Sequence, residues 1–478
     1  MIQPLTENEK PQVILINPPP IGAQAEKHFQ KPEHPRIALA YLAAYLKKEN
    51  IPCRVIDGKF EGMDNQSIIK TIRHYLPPFV GITAMTPEII EAAHLAKQIK
   101  ESIPEIKIII GGPHATALPI KTLEEFPCFD FAIVGEGEIS LSQLIKKAGN
   151  SQPVKDIPGI VYRDNGNIRC NSSWKPIHNL DDIPFPDWDS FPTARSYPIL
   201  AARGCPFQCN FCMRVSGTKL RKRSPENVIK EIEYLIKNFK PKKLTFHDET
   251  FGMNKEWTHQ FLDMMIKKNV HKKVRWEATT RVDVADYELY VKMKKANCSF
   301  LGYGIESGNR EILEQTRKKI TLEQAERAVK LARKARLSTG GMFIMGHPNE
   351  TREAINDTIN FASKLNTDMV ACGIMVPYPG TEIAEIVKRG EGNYRIISAD
   401  WKDFNKQIGN ALELKDIPRK DLEYYQLKLY LKFYLFHFRF RKLKAMSNFL
   451  GFRNIFPGIV LIFRNYFKRI LSKRKHRG

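Results

Sequence analysis

Three cysteines, Cys205, Cys209 and Cys212, stand in a CxxxCxxC spacing just after a short apolar run, 197–202, that predicts a β-strand. Cysteine thiolates are the usual ligands of iron–sulfur clusters. Three protein thiolates on a four-iron cluster leave one iron open to another ligand. Zinc motifs usually comprise two pairs of ligands, and no second pair lies near this one. The spacing therefore favours a cluster with an open iron. A zinc site that lacks its fourth ligand and three ordinary buried cysteines are the alternatives.

The stretch before the cysteines, residues 11–150, alternates short apolar runs with helical segments. The predicted strands cover 13–16, 54–56, 79–82, 106–110 and 131–134. Short apolar strands separated by helices are typical of a parallel sheet that is covered on both faces. We therefore predict a doubly wound, Rossmann-like α/β domain, which binds ligands beyond the carboxyl ends of its strands.

Two glycine-containing loops follow strands of this predicted domain. One is Gly-Gly-Pro-His-Ala-Thr at 111–116, and the other is Gly-Glu-Gly-Glu at 135–138. Glycine lets a backbone approach a bulky ligand closely, although a tight turn is the simpler explanation for either loop alone. The candidate ligand-binding residues are Gly111, Gly112, Pro113, His114, Thr116, Gly135, Glu136, Gly137 and Glu138.

The chain from 196 to 395 repeats strand–helix units. Besides the run before the cysteines, the predicted strands cover 243–247, 274–278, 300–305, 342–345 and 370–376. Such repetition predicts a partial α/β barrel of the TIM type, with its site at the carboxyl ends of the strands. The polar residues that follow these strands are candidates for that site: Asp248, Glu249, Arg281, Glu306 and Ser307. A structural ion pair is the alternative for Arg281.

An aromatic residue, Phe211, precedes the last cysteine, and the complete motif resembles the signature of the radical S-adenosylmethionine (SAM) enzymes. The resemblance implies a 4Fe-4S cluster on Cys205, Cys209 and Cys212, whose open iron chelates SAM. In that family the reduced cluster splits SAM and releases a 5′-deoxyadenosyl radical. The three cysteines are thereby implied as catalytic and metal-binding residues.

Other segments resemble one branch of that family, in which a cobalamin-binding domain precedes the barrel. The loops 111–116 and 135–138 are similar to its cobalamin-binding loops, which implies cobalamin as a cofactor. Asp-Glu-Thr-Phe at 248–251 and Glu-Ser-Gly at 306–308 resemble its SAM-binding segments, with Glu249 where the family often has aspartate. The segment 346–351 resembles its Gly-x-Pro-Gly-Glu-Thr motif with asparagine in place of the second glycine, and asparagine tolerates a positive φ.

The N-terminal domain departs from one pattern. Cobalamin domains that ligate cobalt through histidine carry Asp-x-His-x-x-Gly after the first strand, whereas residues 17–20 read Asn-Pro-Pro-Pro. The segment 57–62 has the outer Asp and Gly but Lys59 in place of histidine, and a protonated lysine has no lone pair for cobalt. We therefore expect no cobalt ligand from this motif. His114 is a candidate ligand, although a histidine in the pocket wall is the simpler interpretation.

Two segments lie outside the predicted domains. Residues 151–195 are rich in proline and contain an Asn165-Gly166 turn, so we predict a linker with a hairpin. Residues 396–478 are predicted as a helical extension that is basic and rich in aromatic residues. From Asp421 on, 14 Lys and Arg residues stand against two acidic ones, so this end carries much of the net charge of +23.

Basic residues beside apolar and aromatic ones indicate peripheral contact of this extension with anionic lipid. The alternative is a helical subdomain that packs its aromatic residues on the barrel. No known nucleic-acid recognition module is present, so we expect no nucleic acid as a partner. The first residues lack a signal-peptide pattern, and the cysteines are too scattered for a disulfide framework. These features predict a cytoplasmic protein, with attachment to the inner membrane face as the alternative.

The resemblance also implies a reaction. One SAM molecule methylates cobalamin to methylcobalamin, and a second yields the 5′-deoxyadenosyl radical. The radical abstracts hydrogen from an unactivated carbon, or less often acts at phosphorus, and the substrate then takes the methyl group. The expected substrate is a small or lipid-like molecule, and the expected reductant is an external flavodoxin or ferredoxin.

Three other functions are alternatives. The same cofactors support a cyclisation, a ring rearrangement or an oxidation without methyl transfer. A methylthiotransferase that acts on RNA carries a second cysteine triad near its N-terminus, whereas Cys53, Cys128 and Cys170 are far apart. A cobalamin sensor or carrier without catalysis is the remote alternative. The intact cofactor motifs speak against it, because a sensor would not need them all.

Overall fold

The computed structural model describes residues 9–20, 32–406 and 409–434. These residues form two compact units. The first unit holds the described residues up to Pro206 together with Met213–His247, and the second holds Phe207–Cys212 together with the described residues from Asp248 on. The boundary between the units therefore runs through the cysteine segment.

A seven-stranded sheet forms the larger part of the first unit. Its strands are β1 (Val13–Asn17), β2 (Cys53–Asp57), β3 (Phe79–Thr83), β4 (Lys107–Gly111), β5 (Phe131–Ile133), β6 (Ile160–Asp164) and β7 (Asn167–Cys170). The helices between them are α1 (Ile37–Lys48), α2 (Gly58–Glu61), α3 (Asn65–Tyr75), α4 (Ile89–Ser102), α5 (Pro113–Ala117), α6 (Pro119–Glu125) and α7 (Gly137–Gly149). The strand order is β2-β1-β3-β4-β5-β6-β7.

The strands β1 to β5 pair in parallel, and all five residues of both β1 and β3 are buried. Continuous burial is expected of parallel strands that are covered on both faces. The sheet order places β1 beside β3, which is the switch point at which doubly wound sheets bind ligands. The predicted α/β architecture of this region is confirmed.

The hairpin predicted at Asn165-Gly166 is also confirmed. Both turn residues have positive φ angles, 49° and 84°, as a type I′ turn requires. The hairpin strands β6 and β7 continue the sheet in antiparallel fashion from β5. Part of the predicted linker is therefore built into the first sheet.

The remaining elements of the first unit precede and follow the cysteine segment along the chain. It comprises β8 (Ser196–Ile199), β9 (Ala202–Arg203), β10 (Arg221–Lys222), α8 (Pro225–Phe239) and β11 (Lys243–Phe246). β8 and β11 pair in parallel, whereas β9 and β10 form a short antiparallel ribbon. Helix α8 has a serine N-cap, because the Ser224 hydroxyl accepts a hydrogen bond from the Asn227 amide at 3.2 Å.

The second unit continues the alternation of strands and helices. Its elements are α9 (Lys255–Lys267), β12 (Arg275–Thr280), α10 (Tyr287–Lys295), β13 (Cys298–Glu306), α11 (Arg310–Gln315), α12 (Leu322–Lys334), β14 (Ser338–Met345), α13 (Arg352–Lys364), β15 (Met369–Ile374), α14 (Glu382–Lys388), β16 (Tyr394–Ile396), β17 (Leu412–Leu414) and α15 (Arg419–Tyr434). The strands β12 to β15 pair in parallel in chain order, and β16 and β17 form an antiparallel pair. The predicted strand–helix repetition is confirmed, while the predicted domain boundaries stay predictions.

Helix α15 packs against β15. The Gln426 amide donates to the Cys372 carbonyl at 2.7 Å, and the Tyr434 hydroxyl accepts from the Val370 amide at 3.2 Å. Phe433 is fully buried. The first aromatic residues of the C-terminal extension thus pack on the strand–helix region, while residues 435–478, on which the membrane prediction also rests, lie outside the described residues. Within the described ranges, no helix is long and apolar enough to cross a membrane.

Candidate functional site

The two glycine-containing loops of the first unit follow β4 and β5 and are bonded to each other. Gly112 has a φ angle of +96°, and a Cβ atom there would lie 2.8 Å from the Ala84 carbonyl oxygen and 2.9 Å from Thr83 Oγ1. Only glycine fits this close approach of backbone to backbone. The Thr116 hydroxyl accepts a hydrogen bond from the Gly135 amide at 3.0 Å. The remaining glycines and the proline end or begin neighbouring elements, namely Gly111 of β4, Pro113 of α5 and Gly137 of α7.

His114 lies in the wall of this region. Its side chain is fully buried, and its Nδ1 atom lies 3.4 Å from Thr86 Oγ1. Burial lowers the pKa of the imidazole to about 4, and the nearby charge of Lys121 acts in the same direction. The ring is therefore neutral at physiological pH, which is also the form of histidine that binds metals. The choice between a cobalt ligand and a histidine of the pocket wall stays a prediction.

The segment 57–62, where lysine replaces the histidine of the cobalt-ligating motif, is held by its own polar contacts. Lys59 Nζ lies 2.6 Å from Glu88 Oε1, and both side chains are largely buried. The Asp57 carboxylate caps α2 by accepting a hydrogen bond from the Phe60 amide at 3.2 Å. An ammonium group in an ion pair offers no lone pair. That this motif supplies no cobalt ligand stays a prediction.

Glu136 and Glu138, from the second loop, face two arginines. Arg221 donates to both carboxylate oxygens of Glu136, at 2.8 Å and 2.9 Å. Arg203 donates to Glu138 Oε1 at 2.7 Å and lies 3.4 Å from Glu136 Oε1. Burial acts to raise the pKa of Glu136, but the hydrogen bonds from Arg221 and the charge of Arg203 outweigh it and lower that pKa. The role of both glutamates as cofactor contacts stays a prediction.

Cys205 belongs to the first unit and is partly buried. Its amide donates a hydrogen bond to the Gly217 carbonyl at 3.2 Å. The preceding Gly204 has a φ angle of +90°, and a Cβ atom there would lie 2.2 Å from the Lys219 carbonyl oxygen. The chain that enters the cysteine segment is therefore packed directly against the chain that leaves it.

Cys209 and Cys212 belong to the second unit and contact each other. The hydrogen bond between their sulfur atoms lowers the pKa of Cys209 to about 7, and the charges of Lys318 and Arg281 also lower it, against the effect of burial. The same hydrogen bond raises the pKa of Cys212. One of the two thiols therefore ionises near neutral pH, and the thiolate is the form of cysteine that binds metals.

Glu306 ends β13 with a φ angle of +73°, which residues other than glycine rarely adopt. Backbone strain of this kind is concentrated at functional sites. The Glu306 carboxylate forms an ion pair with Lys318. Gly304 provides the room, because a Cβ atom there would lie 2.6 Å from Lys318 Nζ and 2.7 Å from Glu306 Oε1. The strand is thus shaped around this ion pair.

Arg281 lies over an aromatic ring of the cysteine segment. Its guanidinium carbon is 3.5 Å from the centroid of the Phe207 ring. It also donates to the Asp283 carboxylate at 2.8 Å and to the Lys318 carbonyl at 2.7 Å. Lys318 Nζ in turn lies 5.9 Å from the centroid of the Phe211 ring. Arg281 therefore has the structural ion pair considered for it and contacts the cysteine segment as well.

The remaining predicted residues of the second unit have different surroundings. The Ser307 hydroxyl is fully buried, lies 3.0 Å from Thr358 Oγ1 and accepts from the Asn309 amide at 3.1 Å. Asp248 is buried, whereas Glu249 is exposed. Ser307 therefore shapes the end of β13 through bonds within the protein.

The second unit brings four of the predicted site residues together: Cys209, Cys212, Arg281 and Glu306. Sequence reasoning missed Lys318, which joins them and stands in a run of basic residues without a recognisable motif. It also missed Arg203 and Arg221, for which closeness to the cysteines was the only signal. In neither unit do three His, Cys, Asp or Glu side chains of the described residues converge as a metal site, so the ligand set of three cysteines stays a prediction. The Cys209 thiol, whose pKa is lowered, is a donor of the type that an iron–sulfur cluster requires.

Two protein-family models match this chain. The B12 binding domain matches residues 30–145, and the radical SAM superfamily matches residues 199–362. An uncharacterized methyltransferase of Pyrococcus horikoshii is 33% identical over 434 residues, which cover 89% of this chain and 92% of the relative. The chain belongs to the cobalamin-binding radical SAM enzymes.

More distant proteins are similar to this radical SAM enzyme over most of its length. An anaerobic magnesium-protoporphyrin IX monomethyl ester cyclase of Cereibacter sphaeroides is 28% identical over 424 residues, which cover 84% of the enzyme and 68% of the cyclase. The structure of the radical SAM methyltransferase TsrM of Kitasatospora setae, with cobalamin and a 4Fe-4S cluster bound, has a TM-score of 0.69 and 16% identity. That match covers 96% of the enzyme and 99% of TsrM. At this identity, the likeness to TsrM concerns the fold.

Family membership confirms the predicted architecture, in which a cobalamin-binding domain precedes a radical SAM domain. It also confirms the predicted cofactors of this radical SAM enzyme: a 4Fe-4S cluster, SAM and cobalamin.

Proposed function

We propose that this radical SAM enzyme methylates an unactivated carbon of a small or lipid-like molecule. The proposal rests on the surroundings of Cys209, where a thiol with a lowered pKa lies with Lys318, Arg281 and Glu306 in one unit. Cationic neighbours favour the thiolate that an iron–sulfur cluster needs. The similarity to a methyltransferase over most of both chains supports transfer of a methyl group.

When bound, the cluster and SAM supply a 5′-deoxyadenosyl radical, and cobalamin supplies the methyl group. Cys205, Cys209 and Cys212 are assigned to the irons of the cluster. Lys318 and Arg281 stabilise thiolates by their charge. The Arg281 guanidinium lies over the Phe207 ring, and Lys318 Nζ lies 5.9 Å from the centroid of the Phe211 ring, so both cations are held beside the cysteine segment.

We assign the SAM molecule on the cluster to the polar residues of the second unit. Glu306 is held in place by Lys318 and by the strained end of β13, and Asp248 is a second buried carboxylate after a barrel strand. Fixed carboxylates are suited to the positively charged amino group of SAM. The assignment also includes Glu249, Arg281 and Ser307 from the sequence.

We assign cobalamin to the loops 111–116 and 135–138 of the first unit. The close approach at Gly112 and the bond between Thr116 and Gly135 make these loops one continuous surface at the carboxyl edge of the sheet. Ligands of doubly wound sheets bind at this edge. The cluster and cobalamin must be reduced, so we propose an external flavodoxin or ferredoxin as the electron donor.

Each methylation consumes two SAM molecules. One gives its methyl group and leaves as S-adenosylhomocysteine. The other takes one electron and splits into methionine and the radical, which removes a hydrogen atom from the substrate and leaves as 5′-deoxyadenosine. The substrate carbon would then bond to the methyl carbon given by the first SAM molecule, and the external flavodoxin or ferredoxin would supply a second electron, because a methyl cation equivalent and a carbon radical together lack one electron for the new bond. Methyl transfer to carbon therefore yields both nucleosides in a fixed ratio.

The test uses the full-length enzyme with its cluster, hydroxocobalamin, a chemical reductant and SAM that carries a CD3 group, incubated anaerobically with a metabolite extract. We expect S-adenosylhomocysteine, 5′-deoxyadenosine and a metabolite with a new CD3 group by mass spectrometry. Cys209→Ser is expected to abolish 5′-deoxyadenosine formation. Formation of 5′-deoxyadenosine and a changed metabolite without CD3 would reject the methylation.

A radical reaction without methyl transfer is the second candidate. The similarity to a magnesium-protoporphyrin IX monomethyl ester cyclase over 84% of this chain favours it. In this case the extract experiment would give 5′-deoxyadenosine together with a product that has lost hydrogen or gained a ring. The two candidates thus differ in one measured quantity, the CD3 content of the product.

A further inference from the structure

The antiparallel ribbon of β9 and β10 closes the cysteine segment. All three cysteines lie in sequence between these two strands, so the ribbon joins the two ends of the loop that carries them. Its register places Arg221 directly opposite Arg203. Both guanidinium side chains are only 9% exposed. Like charges directly opposite each other destabilise a strand pair, so this ribbon needs a compensating charge.

Glu136 and Glu138 supply that charge. The Glu136 carboxylate accepts hydrogen bonds from the two terminal nitrogens of Arg221 at 2.8 Å and 2.9 Å. The Glu138 carboxylate accepts one from Arg203 at 2.7 Å. Both glutamate side chains are only 6% exposed. Bidentate contacts between arginine and carboxylate fix orientation as well as charge. Two negative and two positive groups thus form one buried cluster.

Further contacts connect the same loop to the cysteine segment. Glu136 accepts from the Ile177 amide at 2.8 Å. Trp174 lies so close to Gly135 that a Cβ atom there would be 2.2 Å from the indole ring, and the tip of the ring lies 3.8 Å from the position of a Cβ atom at Gly217. The Gly217 carbonyl in turn accepts the hydrogen bond of the Cys205 amide. The loop after β5 is therefore in contact with both flanks of the cysteine segment.

We propose that Glu136 and Glu138 are positioning residues for the iron–sulfur cluster, acting through Arg203, Arg221 and the ribbon that closes the cysteine segment. In this proposal the two carboxylates connect the loop after β5 to the loop that carries the cysteines, and they do not contact cobalamin directly. It rests on the cofactor set and not on the methyl transfer proposed above.

The test compares full-length Glu136→Gln and Glu138→Gln with the parent enzyme after anaerobic cluster reconstitution. The readouts are the electron paramagnetic resonance spectrum of the reduced cluster with SAM, the bound cobalamin and the formation of 5′-deoxyadenosine. We expect altered g values, cobalamin content within twofold of the parent, and at least fivefold slower 5′-deoxyadenosine formation. Unchanged g values together with lost cobalamin would overturn the proposal in favour of a direct cofactor contact.

Asp187→Asn is the matched control, because Asp187 forms a 2.6 Å ion pair with Lys47 in the same unit and is 9% exposed. This variant is expected to lower the melting temperature without changing the spectrum, so a change of g values there would also overturn the proposal. If Glu138→Gln does not fold, Glu138→Asp keeps the charge, shortens its reach and is judged by the same spectrum. The spectrum needs no methyl acceptor, so a failure of the methylation proposal leaves this test intact.

Discussion

Glutamates that follow parallel strands have different surroundings in the two units. In the first unit, Glu136 and Glu138 follow β5 and face two arginines, so that two carboxylates meet two guanidinium groups. In the second unit, Glu306 ends β13 and pairs with one lysine, and the thiols beside it include one that ionises near pH 7. In the first unit the two carboxylates and the two guanidinium groups balance each other. In the second unit the pair of Glu306 and Lys318 belongs to a larger group that includes the thiols of Cys209 and Cys212.

The backbone conformation of these glutamates also differs between the two units. Glu306 has a φ angle of +73°, which costs about 1–3 kcal/mol in a residue with a side chain. Glu136 has an extended backbone with a φ angle of −76°. A strained residue persists only where the surrounding structure enforces it. Backbone strain and chemical neighbours thus distinguish Glu306 from Glu136, although both residues follow or end parallel strands.

The largest expected effect comes from Glu306→Gln, which keeps the shape of the side chain and removes its charge. Lys318 then remains as a buried cation without its carboxylate, and the carboxylate assigned to SAM is lost. We expect the rate of 5′-deoxyadenosine formation to fall about a thousandfold, as when a key polar group is removed from an active site. The exposed Glu311 of α11 provides the control, Glu311→Gln. A rate within threefold of the parent would remove Glu306 from the site.

The buried carboxylate of Glu350 has a third kind of surroundings, because it is hydrogen-bonded to backbone amides. It accepts from the Gly346 amide at 2.5 Å and from the His347 amide at 3.1 Å, and burial raises its pKa to about 8. Between pH 5 and pH 8 the unfolded chain releases a proton that the folded chain retains, so this group makes the folded state less stable as the pH rises.

Glu350→Gln removes that penalty. The free energy of unfolding of the variant, relative to the parent, is expected to rise by about 3 kcal/mol from pH 5 to pH 8. Urea unfolding at both pH values measures the difference. A difference that does not change with pH would show that Glu350 is already ionised in the folded protein.

Gly304→Ala tests whether the space on β13 matters to the pair of Glu306 and Lys318. The added methyl group would lie 2.6 Å from Lys318 Nζ, so the ammonium group must move away. We expect 5′-deoxyadenosine formation to slow about tenfold, which corresponds to about 1.4 kcal/mol. At Gly302 the nearest atoms, Met342 Cε and Thr279 Oγ1, lie at 3.3 Å, and Gly302→Ala is expected to slow the reaction less. Equal effects of the two variants would contradict a specific role of the ion pair.

The smallest effect is expected from Thr116→Val in the first unit. The variant keeps the shape of the side chain and removes the acceptor of the Gly135 amide. The free energy of unfolding is expected to fall by about 1 kcal/mol, because a partly buried amide loses its partner. Bound cobalamin, measured by absorbance after gel filtration, is expected to fall as well if the two loops form one surface. Cobalamin content equal to that of the parent would place the ligand away from this bond.

Local features of this protein could be predicted from residues that are neighbours in the sequence. The apolar run 13–16 predicts a strand and the turn at 165–166 predicts a hairpin, and both are present. Asn349 takes a φ angle of +55°, as expected for the residue that replaces glycine in its motif. The spacing of the cysteines also lies within eight residues of sequence. Each of these signals depends on the intrinsic preferences of a few adjacent residues.

The charge partners were decided by tertiary structure alone. Glu138 meets Arg203 across 65 positions of sequence, and Glu306 meets Lys318 across 12. An ion pair depends on which strand ends and loops the fold brings within about 4 Å, and no local preference of glutamate distinguishes an arginine partner from a lysine partner. For this reason the sequence alone determined the cysteine motif and the alternation of strands and helices. Only the folded chain distinguished Glu136 and Glu138, which pair with arginines, from Glu306, which pairs with a lysine beside the thiols.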